Sequence, residues 1–272
     1  MAGDHGGGKV ERMLINFREH QVSDFASLVS AYSSKELASP TRSTVPLLAF
    51  WAQPEARLAE FSGRLGLAGV SQCQLCFEYP VPVQQGSGKS SFTDLMILSE
   101  SAAVAIEAKF TEPEYETVET WLRTSASQNR QAVLAGWLQL IARAIGIDLN
   151  ASAVAGYPYQ LVHRTASACH PRASHRWVVY QLFSEKRLSY YRNHLANLSR
   201  ALGGQSVLRF GVLATYPEVT PEYVSLTNRW DSKERDLSDD VRKGLLSGGF
   251  FKFRQMAFTE LGRSGGKLGA AG

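Results

Sequence analysis

No run of about eighteen apolar residues occurs anywhere in the chain, so no membrane-spanning helix is expected. The first residues, Met1-Ala2-Gly3-Asp4-His5-Gly6-Gly7-Gly8, hold no apolar signal region, which gives the expectation of a cytoplasmic protein. Only 3 cysteines are present, too few for a disulfide framework. Cys73 and Cys76 have metal-ligand spacing, but an iron–sulfur cluster asks for four thiolates. A zinc site would have to recruit Cys169 and His170 as well. Because Cys73 and Cys76 fall in a strand candidate, buried structural thiols are the expectation. The 6 histidines show no HxxxH or HxH spacing, and no Gly-x-Ser-x-Gly elbow marks a serine nucleophile. Charge is modest: the net value is +4 and the pI ≈ 9.0, which suits a polyanionic partner without demanding one.

What remains is the profile of a folded enzyme-sized chain. Hydrophobic residues make up 44% of 272, enough to bury a sizeable core in one large domain or two small ones. Apolar residues from Met13 to Val29 recur at helical spacing, and a helix is expected over 45–65, bent at Pro54. Strands are predicted at 72–83, 92–98 and 102–110, then helices at 115–124 and 128–146. The segment 159–168 is ambiguous between helix and strand. Residues 177–183 read as a strand, 188–202 as a helix and 207–215 as a strand, and 231–243 as a charged helix or loop. Alternating strands and helices give an α/β fold with a mixed sheet flanked by helices.

The most informative stretch is Phe92-Thr93-Asp94-Leu95-Met96-Ile97-Leu98, a polar turn, and Ala102 to Phe110. Two apolar runs around such a turn form a hairpin, and a turn centred between Glu100 and Ser101 makes partner numbers sum to 201. Asp94 then stands opposite Glu107, and Lys109, two residues on, shares the face of Glu107. Paired carboxylates suit Mg²⁺ or Mn²⁺, hard ions that prefer oxygen. An ammonium beside them can orient a water or offset charge growing on a phosphate. An exposed cross-strand ion pair is the bland alternative, worth under about 1 kcal/mol. The apolar residues on both faces of this hairpin speak instead for a central one with charges at one end.

At Asp94, Glu107 and Lys109 the chain resembles the PD-(D/E)xK nuclease superfamily over about residues 45–145, with Thr93 in place of the proline that names the motif. The resemblance implies a restriction-endonuclease-like core at 45–216, with a helical N-terminal extension at 10–44 and a C-terminal extension at 217–261, while the glycine-rich stretches 1–9 and 262–272 are expected to be disordered tails. It implies a Mg²⁺- or Mn²⁺-dependent nuclease acting on DNA, with Asp94, Glu107 and the Ala108 carbonyl as metal ligands and Lys109 serving the attacking water. It also implies a glutamate from the preceding helix or strand (Glu55, Glu60 or Glu78) and a glutamine from the following helix (Gln128 or Gln131). Arg130 and Lys89 are candidate DNA contacts. A homodimer is open. A partner methyltransferase would go with a restriction role, though no residue here points to one.

Two rivals keep their place. One is a degenerate nuclease fold that binds DNA without cutting it. The other is a nucleotide-binding protein built on Gly86-Ser87-Gly88-Lys89-Ser90-Ser91, which resembles a P-loop but has Val83 where the motif requires glycine. Tyr190-Tyr191-Arg192 and Phe250 to Arg254 mix aromatic and basic residues as single-strand binders do, and as amphipathic elements do too.

Overall fold

A computed structural model describes residues 13–65, 67, 72–124, 127–204 and 206–262. Ten strands are seen there: β1 (Leu14–Phe17), β2 (His20–Val22), β3 (Gln74–Val81), β4 (Ser91–Leu98), β5 (Ala102–Lys109), β6 (His175–Leu182), β7 (Leu208–Ala214), β8 (Glu218–Val219), β9 (Phe251–Lys252) and β10 (Ala257–Leu261). The helices are α1 (Phe25–Ala31), α2 (Thr44–Phe50), α3 (Pro54–Leu65), α4 (Val118–Thr124) and α5 (Gln128–Ile145), followed by α6 (Ala151–Val154), α7 (Tyr159–Cys169), α8 (Leu188–Ala201), α9 (Pro221–Asp231) and α10 (Ser238–Ser247). Eight strands form one sheet in the order β10-β7-β6-β5-β4-β3-β1-β2, while β8 and β9 pair separately. The sheet is mixed: β5, β6 and β7 run parallel, and β3, β4 and β5 form an antiparallel meander.

Central position explains composition. Every residue of β5 is buried, as expected of a strand with helices over both faces. Leu75, Phe77, Leu95, Ile97, Val104 and Ile106 join a core with residues of α1, α2, α3, α9 and α10. Cys76, Met96, Ala103, Ala105 and Val178 join a second core with residues of α5, α7 and α8. The fold is therefore an α/β sandwich with a mixed sheet between two helical layers. Among the described residues, no helix is long and apolar enough to cross a membrane.

The chain ends depart from expectation. Residues 10–44 bring one helix, α1, but also the strands β1 and β2, with β1 lying parallel beside β3. The apolar spacing from Met13 onward fits helix and strand alike, and the free edge of β3 settles the choice by offering hydrogen bonds. Likewise 217–261 supplies α9 and α10 but also β10, which pairs with β7 at the sheet edge. The helix expected over 45–65 is two helices: Pro54 opens α3 after a turn at Trp51 and Ala52. The ambiguous 159–168 is the helix α7. Residues 1–9 and, past Gly262, the C-terminal tail lie outside the described residues.

Candidate active site

The hairpin register follows the sequence reading: Leu95 faces Ile106, Met96 faces Ala105, Ile97 faces Val104 and Leu98 faces Ala103. The regular ladder stops there, one residue short of Asp94 and Glu107. The break coincides with a kink in β3, where Glu78 adopts φ 50, a left-handed conformation that costs a side-chain-bearing residue about 1–2 kcal/mol. Phe77 pairs with Leu95 and Tyr79 with Thr93, so Glu78 faces Asp94 at the break. Across the break the strands change parity. Cys76 packs in the α7-side core and so does Val81, which strict alternation would place on the other face. Thr93 likewise meets Arg164 of α7 from the side that Met96 occupies.

Asp94 sits on this kink and turns toward β5. Its Oδ2 accepts the Ala108 N–H at 2.8 Å, in place of a backbone ladder bond. The Ala108 carbonyl leaves the strand on the same side as its N–H, toward Asp94. Glu107 points into the α7-side core. Its Oε1 accepts from Lys109 Nζ at 2.7 Å and from Gln160 Nε2 at 2.5 Å. Arg164 Nε touches Glu107 Oε2 at 2.6 Å as an ion pair, off the direction of a hydrogen bond. Gln160 and Arg164 lie one turn apart on α7, hence on one face. Glu107 is 2%, Lys109 5% and Arg164 2% exposed, so these charges compensate one another with little help from water.

The electrostatics follow from this packing. Burial, and then the Glu107 charge, push the Asp94 carboxyl well above the usual carboxylate range. Burial also pushes Glu107 upward, but Arg164 and Lys109 outweigh it and hold Glu107 below its ordinary value. For Lys109 burial disfavours the ammonium; Glu107, Tyr115 and Asp94 win and keep it charged. The Tyr115 ring, 43% exposed, lies 4.5 Å from Lys109 Nζ and shields it from solvent. Burial drives His163 to about 3, so it is a neutral partner of Ser91 rather than a base.

The other sequence candidates are placed elsewhere. Glu55 is exposed at the start of α3, whose buried residues pack in the core on the opposite face of the sheet from Glu107. Glu60 pairs with Arg57 on the same helix. Gln131 is exposed and lines a groove with Leu138 and Asp148. Arg130 is spent on Trp121 and Thr124. Lys89 is exposed on the loop between β3 and β4, which Asn129 fastens to α5 through Ser87. A strand, rather than the helix a P-loop requires, follows this loop. Cys73, Cys76 and Cys169 are buried and form no disulfide. Sequence reasoning missed Gln160 and Arg164. Their i, i+4 spacing is there, but His163, Thr165 and Ser167 are polar in the same segment, so no local pattern singles the two out.

The donor set bears on a metal. Among the described residues no three His, Cys, Asp or Glu side chains lie close enough to hold an ion by themselves. Mg²⁺ does not demand that, since it is commonly held by one or two carboxylates plus water and substrate phosphate. Asp94 Oδ1 has no hydrogen-bond donor among the described residues, and Glu107 Oε2 has only its ion contact with Arg164. With the Ala108 carbonyl these oxygens fit a hard divalent ion.

No curated protein and no solved structure matches this chain. One family model does, over residues 21–234, which take in the kink, the hairpin and α7. The chain thus belongs to the family described as a domain of unknown function, DUF6946.

Proposed function

We propose that this protein is a metal-dependent nuclease that hydrolyses DNA phosphodiester bonds, in restriction, repair or recombination. One observation carries the reading: Asp94, Glu107 and Lys109 converge where β4 and β5 part company, with the ammonium hydrogen-bonded to the glutamate. Asp94, Glu107 and the Ala108 carbonyl would hold Mg²⁺ or Mn²⁺. Such an ion polarises a phosphate oxygen and lowers the pKa of a bound water. Lys109 supplies a fixed positive charge for the attacking water or the phosphate, and Glu107 keeps it protonated. Gln160 and Arg164 fix the Glu107 carboxylate, so little reorganisation is needed when charge develops. The basic pI suits DNA, and a cytoplasmic location goes with this role.

Supercoiled, linear and branched DNA incubated with Mg²⁺, Mn²⁺ or chelator tests the proposal. Asp94→Ala and Lys109→Met are expected to lower cleavage by about a thousandfold or more while binding persists. Wild-type rates in either variant would sink the assignment. One observation favours a second reading, a DNA-binding module without cleavage: two cations already neutralise Glu107. DNA binding with no metal-dependent cut of any substrate would decide for that reading.

A further inference from the structure

A cavity of about 370 Å³ opens beside Lys109, past the carboxyl ends of the parallel strands β5 and β6, where open α/β sheets usually receive ligands. A 3-10 turn, Glu185–Arg187, contributes Lys186 and Arg187 to its lining and runs into the N-terminus of the fourteen-residue helix α8. The positive end of that helix therefore lies beside the cavity. Lys109, Lys186 and Arg187 add three cationic side chains to the lining, with the Ser184 hydroxyl among them. The lining carboxylate, Glu112, is committed elsewhere, accepting the backbone N–H groups of Ser43 at 2.6 Å and Phe110 at 2.8 Å. An independent sign comes from Tyr191. Its side chain lines the cavity and is only 6% exposed, and its hydroxyl lies near Arg187 without a well-formed hydrogen bond to any described residue. A buried hydroxyl without a well-formed bond is costly, and a ligand oxygen would remove that cost. Arg187 donates through Nη1 to the Glu112 carbonyl and its Nε lies 3.9 Å from Glu114, a loose contact that an anion would compete with for the rest of the guanidinium.

We propose that this cavity is a phosphate subsite, in which Lys186, Arg187 and the Tyr191 hydroxyl hold a phosphate group of the nucleic-acid strand being processed. The assignment of the strand rests on the nuclease reading, because Lys109 belongs to both sites. The phosphate belongs either to a strand end or to the backbone next to the cut.

The test uses the full chain with Ca²⁺ in place of Mg²⁺, so that DNA binds without turnover. Probes are one single-stranded DNA oligonucleotide carrying a 5′-phosphate, a 3′-phosphate or only hydroxyl ends, with inorganic phosphate as competitor. Lys186→Ala should weaken binding roughly tenfold and Tyr191→Phe about threefold, while Glu114→Gln tightens it. Losses confined to an end-phosphorylated probe assign a terminal phosphate. Equal losses on all three probes assign a backbone phosphate. Unchanged affinity of folded Lys186→Ala and Tyr191→Phe for every probe overturns the subsite. Cleavage with Mg²⁺ is scored separately. A chain that binds phosphate here but cuts nothing keeps the subsite and loses the nuclease, and the reverse result does the opposite.

Discussion

At its turn end, the hairpin of β4 and β5 pairs Leu98 with Ala103 and Ile97 with Val104, and its side chains divide cleanly between two apolar cores. At its open end, where β3 runs beside β4, Glu78 is left-handed, Asp94 turns toward β5 and Glu107 is gripped by Lys109, Gln160 and Arg164. The two ends are held by different physics. Each apolar side chain at the turn end contributes independently, by leaving water and filling space. The charges at the open end contribute only as a set, because each is buried at a cost that its partners offset. Damage should therefore be graded and local at one end, abrupt and coupled at the other.

Arg164 offers the hardest way to break this contrast. Arg164→Leu keeps bulk in α7 but leaves Glu107 with Lys109 as its sole cation. The variant is expected to lose about 3–5 kcal/mol in denaturant unfolding, as when one member of a buried pair is removed. Adding Glu107→Gln should restore much of that loss, since the uncompensated charge goes with it. Additive losses in the double variant would show that the open end is not a coupled set.

Glu78 sharpens the comparison through pH. Burial, with Glu36 and then Glu107 adding repulsion against the relief from Arg164 and Arg18, raises this carboxyl from 4.5 to about 7. The folded state thus holds a proton that the unfolded chain releases near 4.5. Stability is full below the unfolded value and falls as pH rises through the folded one, by about 3 kcal/mol in all. Glu78→Gln removes this slope. Unfolding free energies measured between about pH 4 and pH 8 should show the wild type falling relative to the variant, and parallel curves would refute a buried proton on Glu78.

The same division governs what the sequence disclosed. The turn-end register was legible because both strands are apolar throughout and a short polar turn permits one centring, from Leu95 to Leu98. From that register Glu107 and Lys109 were found on one face, and they touch. The kink was not legible, since nothing in Phe77-Glu78-Tyr79 announces a left-handed glutamate in a strand that glycine would ordinarily provide. Strict alternation therefore put Asp94 opposite Glu107 but missed its turn toward the Ala108 N–H. Gln160 and Arg164 reach Glu107 from more than fifty positions away, through the packing of α7 on β5, and a local window carries no trace of that contact. The glutamine that touches Glu107 comes from α7, whereas the sequence reading looked for one on α5. The strand β1 was hidden for a similar reason, because its partner β3 lies some sixty residues on.

The smallest effect belongs to the turn end and serves as the control. Ile97 is fully buried in the apolar core away from α7 and pairs with Val104, three residues from the kink at Asp94. Ile97→Val deletes one methyl group, keeps the β-branch that suits a strand and leaves a cavity too small for water. A loss of about 0.5–1.5 kcal/mol is expected. Because no charge depends on Ile97, the loss should be the same at every pH and additive with Glu78→Gln. DNA cleavage or binding per folded molecule should stay at the wild-type level. A pH-dependent loss, or a fall in activity out of proportion to the folded fraction, would mean that the two ends of the hairpin are mechanically linked. The kink would then be held in place by the apolar core as much as by its own charges.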